Sequence, residues 1–266
     1  RSRCIRSLIH IANWAVKHKT ISFIAPMVIN DVTELYRRGN QFNTEEKSEL
    51  SGLLLLLSST LTAEQRTPLL QELLMRPIQL LASADFAAMV ASPASFVTAL
   101  VNASARAELY ATFHTMEESL SKLQGEGSEK QTIQILEPIF QNVLSLYAQL
   151  RAIHRPEILS TLDPSIQLTI VNAVSPKAMM TTPKDSEVHK ISAFIGNLTS
   201  SCLMVLFKGT HNAPTLLKTP AMLDQLRSIF TTNLDVLSES DISIFISFFP
   251  FSFSLSLSLF SLLVIL

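Results

Sequence analysis

Glycine is scarce, with six in 266 residues where an average chain of this length carries roughly eighteen. Nucleotide-binding α/β folds need glycine where the backbone meets phosphate, so the shortage argues against a dinucleotide or P-loop enzyme. Cysteine is nearly absent. Cys4 and Cys202 stand almost 200 residues apart, so a disulfide framework and a cysteine-rich zinc site both fail on count. The two are expected as buried or half-buried free thiols. An excess of one charge is missing as well, because 21 Lys and Arg face 22 Asp and Glu for a net charge of −1. A free-standing nucleic-acid binder normally carries a basic excess.

The short motifs of catalysis are missing too. HExxH, GxSxG, GxGxxG and the Walker pattern do not occur, and no catalytic, metal or cofactor residue is assigned. Of the six histidines, His10 and His18 lie eight residues apart, at about 12 Å along a helix too far to share an ion. Asp31/Glu34 and Glu45/Glu46/Glu49 read as solvated helix faces. Arg1, Arg3, Arg6, Lys17, Lys19, Arg37 and Arg38 make the first 38 residues basic. They read first as the outer face of a repeat and second as phosphate contacts. The chain opens on Arg1 and reads as a piece of a longer protein. Arg1–Arg6 leads into an amphipathic run, not the apolar core of a signal peptide, so the sequons at Asn102 and Asn197 carry no meaning.

What is present is helical periodicity. Ile5, Leu8, Ile9, Ala12, Ala15 and Val16 make one stripe over Arg3–Lys19. Val28, Val32, Leu35 and Tyr36 line Pro26–Arg38, with Gly39 as its stop. A third helix from Asn43 or Thr44 buries Leu50, Leu53, Leu54 and Leu57. The fourth opens on Thr62-Ala-Glu-Gln65, a capping-box spacing, carries leucines to Leu81, and should bend at Pro77. Ser83–Ala91 and Ser92–Val101 are shorter. Ser104–Leu123 carries Ala107, Leu109, Tyr110, Phe113, Met116 and Leu120. After the loop Gln124–Lys130, the pattern predicts one long helix over Gln131–His154, kinked at Pro138. Further helices follow to Val174, over Ser186–Phe207 and over Pro220–Leu237, with Lys177–Asp185 as a linker.

The class is all-α. Long helices start near residues 3, 44, 92, 130 and 186, spaced about 40 to 55 residues, around the roughly 40–47-residue period of HEAT-type pairs. Each pair leaves a wide apolar face that only a neighbour can cover, so residues 1–241 are expected to stack as an α-solenoid of four or five antiparallel pairs. A compact irregular helical domain is the rival. Ile242–Leu266 departs from this pattern: it is uncharged, rich in Phe, Ser and Leu, and alternates with a period of two. It reads first as a translated polypyrimidine tract outside the fold. A membrane anchor, of which the length alone speaks, and an ordinary chain end are the other readings.

Two stretches resemble a known family. NTEEKSELSGLLLLLSSTLTAEQRTPLLQELLMRPIQLL (Asn43–Leu81) is similar to a helical pair from the middle of the exportins of the importin-β superfamily, and QTIQILEPIFQNVLSLYAQLRAIHRPEIL (Gln131–Leu159) looks like a later helix of the same region. The likeness is to the exportin-five type, known in plants as HASTY, and spans residues 1 to 240. It implies a non-enzymatic nuclear export receptor that shuttles between nucleus and cytoplasm. Its partners would be Ran-GTP and structured RNA such as pre-microRNA or tRNA. Nucleoporins are further partners the resemblance allows, and no membrane is expected. No RNA-contacting or Ran-contacting position is carried over. The alternatives are an importin-β relative with protein cargo and a HEAT-repeat scaffold.

Overall fold

The structure, a computed structural model, describes residues 2–218 apart from 19, 21–23, 39–41, 43, 124–126 and 176–179. The expected stop at Gly39, part of the linker Lys177–Asp185, the helix over Pro220–Leu237 and the tail Ile242–Leu266 lie outside the described residues.

The described residues contain twelve α-helices and no strand. They are α1 (Ser2–Lys17), α2 (Ala25–Arg37), α3 (Thr44–Ser58), α4 (Ala63–Leu81), α5 (Ala84–Met89), α6 (Pro93–Val101), α7 (Ala103–Lys122), α8 (Ser128–Leu136), α9 (Phe140–Ala152), α10 (Pro156–Leu159), α11 (Pro164–Val174) and α12 (Glu187–Asn212), followed by a 3₁₀ turn at Pro214–Lys218.

Local chemistry sets the helix starts. At Thr62 the capping box closes in both directions, Gln65 N–H donating to Thr62 Oγ1 (3.4 Å) and Thr62 N–H donating to Gln65 Oε1 (3.3 Å). Ser83, Ser92, Asn102, Asp163 and Ser186 accept first-turn amides of α5, α6, α7, α11 and α12, satisfying donors that a helix leaves open. Gly127 holds φ 76° before α8, a left-handed conformation that side chains disfavour.

One long element of the sequence reading is corrected. Gln131–His154 is two helices, not one kinked helix: α8 ends at Leu136, and α9 begins at Phe140. Pro138 has no N–H to give and its ring crowds the preceding turn, so Ile139 N–H closes a tight turn on Leu136 O (3.0 Å). At Pro77, by contrast, α4 continues to Leu81.

The helices stack in two layers, an all-α solenoid of HEAT type. α1 packs on α3, α3 on α7 and α7 on α12, forming one row. Across them lie α2 against α3, α4 against α3 and α7, and α8, α9 and α11 against α12. Because α3 has neighbours on every side, Leu50 and the whole run Leu53–Leu57 are buried, not a single stripe. Tyr147, Phe96, Phe113 and Phe140 fill the space between the layers. At about 25 cal/mol per Å² such burial is the main source of stability. α12 approaches α8 so closely that a Cβ on Gly209 would stand 1.9 Å from Leu136 Cδ1.

Long-range side chains seal helix ends across the stack. Asn142 Nδ2 donates to Leu81 O (2.7 Å), Gln149 Nε2 to Val90 O (3.1 Å), Asn212 Nδ2 to Leu120 O (2.8 Å) and Arg106 Nη1 to Leu100 O (2.6 Å). Each supplies a donor to a carbonyl that a helix terminus cannot satisfy itself.

Some expected core positions face outward. Leu8, Leu35 and Tyr110 are 50%, 42% and 47% exposed, and Ala107 is exposed too. Periodicity finds the apolar arc of a helix, but the neighbours decide how much of it is covered: α1 has α3 as its principal partner and buries Ile5 and Ala12. In α2 the buried face centres on Ile29 and Val32.

Candidate functional site

Three of the basic N-terminal residues are ion-paired, two of them to neighbouring helices. Arg6 Nε reaches Glu49 of α3 at 2.5 Å. Arg37 forks onto Glu72 of α4, Nε to Oε1 at 2.6 Å and Nη2 to Oε2 at 2.7 Å, while Arg38 pairs with Glu34 one turn back. The Arg37 hydrogen bonds hold the Glu72 carboxyl below the usual carboxylate range, and Glu72 holds the guanidinium above its own. Glu49 is therefore not a free solvated acid. Glu46, placed on a solvated face by sequence, is buried at 9% exposure, because α3 is enclosed. Arg3, His10 and Lys17 stay exposed on α1. Beside them Trp14 is 60% exposed and meets His18 at a tilt of 40°, with ring centroids 4.6 Å apart.

Behind the Arg37–Glu72 pair opens a cavity of about 300 Å³ where α2, α3, α4 and α7 meet. Tyr36, Lys47, Arg76, Glu108 and Thr112 are among its polar groups, beside Ser51, Ser104 and Thr115, and Leu73 with Pro77 is part of its apolar wall. Burial pushes the Tyr36 phenol above its ordinary value against the opposing pull of Arg76, with Glu72 adding to the rise. Arg76 meets Glu108 at 3.1 Å on the exposed rim. Sequence reasoning missed this grouping. Its one linear trace is Thr112, a hydroxyl on the otherwise apolar stripe of Leu109, Phe113 and Met116.

Among the described residues no group of three or more His, Cys, Asp or Glu could hold a metal. The thiols divide: Cys202 is buried, as expected, and Cys4 is exposed, against expectation. Burial pushes the Cys202 thiol far up, and its Sγ–H donates to Val143 O at 3.4 Å. Among the described residues one helix, α12, is long and apolar enough to cross a membrane by length and composition, yet it packs against α7, α8, α9 and α11.

The two-layer helical stack with ion-paired edges is an α-solenoid of HEAT type. The model of the Exportin-5 family matches residues 1–240. The chain belongs to the Exportin-5 family, a family of nuclear export receptors. No curated protein matches it.

Proposed function

We propose that this chain is a segment of an export receptor that carries structured RNA out of the nucleus together with Ran-GTP. The family match across residues 1–240 carries the reading. In physical terms, a superhelix recognises an A-form stem by backbone shape and phosphate charge, without reading its sequence. Ran-GTP and cargo couple when both favour the same pitch of the superhelix. In this reading the protein is a shuttling carrier with no enzymatic step, and nucleoporins are its contacts in transit. Its repeats occupy residues 1–241 and exclude 242–266, so truncation after Asp241 leaves the far-UV helical signal of the repeats unchanged.

Protein cargo is the second reading, favoured by the net charge of −1. Binding of a hairpin RNA to the receptor, measured at two salt concentrations with and without Ran-GTP, separates the two. RNA cargo gives tighter binding with Ran-GTP and a steep salt slope. Binding that is salt-independent or indifferent to Ran-GTP overturns the RNA reading.

A further inference from the structure

Three polar groups facing the α2–α3–α4–α7 cavity make no hydrogen bond or ion pair among the described residues. Thr112 is 7% exposed, yet its hydroxyl has no hydrogen-bond partner among the described residues. Lys47, half-buried in the same wall, forms no ion pair or hydrogen bond among them. The half-buried Tyr36 phenol makes no hydrogen bond among them and feels only the charges of Arg76 and Glu72. Each is left to water or to whatever enters the hollow that they line together, and one of the three is cationic. The fourth donor, Arg76, is held only at the rim by Glu108, with 81% and 46% of the two side chains exposed. Such an exposed pair is weak and readily exchanged.

All four groups can donate. Lys47 and Arg76 bring positive charge against the single acid Glu108, and the raised Tyr36 phenol stays protonated near neutral pH. These four donors come from four different helices that line the same volume. That arrangement suits the three terminal oxygens of a phosphoryl group better than a flat carboxylate. The volume of about 300 Å³ admits a phosphate with a small organic group and is far too small for a nucleic-acid duplex.

We propose that this cavity binds a small phosphate monoester, with Lys47 and Arg76 neutralising the dianion and Tyr36 and Thr112 donating to its oxygens. The site is independent of the RNA and Ran assignments.

The test is titration of the full chain with inorganic phosphate and with glycerol 3-phosphate at constant ionic strength. Saturable binding of both is expected. Lys47→Met should weaken it by about tenfold or more, as for a lost charged hydrogen bond, and Thr112→Val by roughly fivefold, as for a neutral one. Lys17→Met, which removes an exposed cation on α1, should change nothing. Should Thr112→Val lower the melting temperature, Tyr36→Phe provides the same readout from the half-buried side. Equal affinity in the Lys47 and hydroxyl variants, or an equal loss in Lys17→Met, overturns the site. Displacement by a hairpin RNA lacking a terminal phosphate overturns the monoester assignment.

Discussion

Around α1 and α2 the helices meet their neighbours through ion pairs at the surface, whereas α7, α9 and α12 meet through a dry core crossed by buried hydrogen bonds. Arg6–Glu49 and Arg37–Glu72 leave their arginines 56% and 64% exposed. In the second region Phe113, Phe140 and Tyr147 are fully buried, and Arg106, at 7% exposure, ties α7 to the end of α6 and to Glu187 of α12. Exposed pairs contribute little and are screened by salt. Burial and completed internal hydrogen bonds contribute more, and their loss is felt in full. Stability is therefore graded along the stack even where the helical architecture is uniform.

Substitutions should reproduce that gradient. The largest effect is expected from Phe113→Ala, which opens a void at the centre of α7 and should cost about 3–5 kcal/mol in denaturant titration. Arg106→Met keeps the bulk but leaves Leu100 O without its donor, for a loss of about 1–3 kcal/mol by the same measurement. Thr62→Ala removes one half of the α4 capping box and should cost about 1 kcal/mol. For Arg6→Ala we expect less than about 1 kcal/mol, read as faster amide exchange in α1 with α7 unchanged, and a difference that shrinks at high salt. The smallest effect is a pH dependence. Glu72 has a lowered pKa in the fold, so its contribution is complete above the unfolded carboxylate value and disappears as pH falls through the folded one. On acidification the wild-type melting temperature should drop slightly more than that of Glu72→Gln. An equal drop would show that Arg37 does not hold this carboxyl.

What the sequence made legible was local. Thr62 with Gln65, Ser92 with Pro93 and Asp163 with Pro164 announce helix starts because capping is a contact between residues two or three apart. Pro138 announced a disturbance but not its size: whether a helix bends or breaks depends on what packs against the freed carbonyls. Leu8 and Tyr110 looked like core because periodicity measures one helix, while burial needs the neighbour. Glu46 failed in the opposite direction, for the same reason. The cavity was out of reach, since Tyr36, Lys47, Arg76 and Thr112 come together only when four helices stack. The family resemblance was legible in the leucine-rich pair Asn43–Leu81, where the order of polar and apolar residues survives as a string.

The contacts from Asn142 to Leu81 O, from Gln149 to Val90 O and from Asn212 to Leu120 O have a mechanical consequence. Each joins a side chain to a single carbonyl at the end of another helix, so it works as an indexing pin. Sliding a helix along its neighbour by one turn, about 5.4 Å, would pull the pin out and strand a partly buried carbonyl. Tilting about the pin keeps the hydrogen bond and costs far less. A solenoid built this way would change its curvature by pivoting at fixed points, with the register of one helix against the next kept.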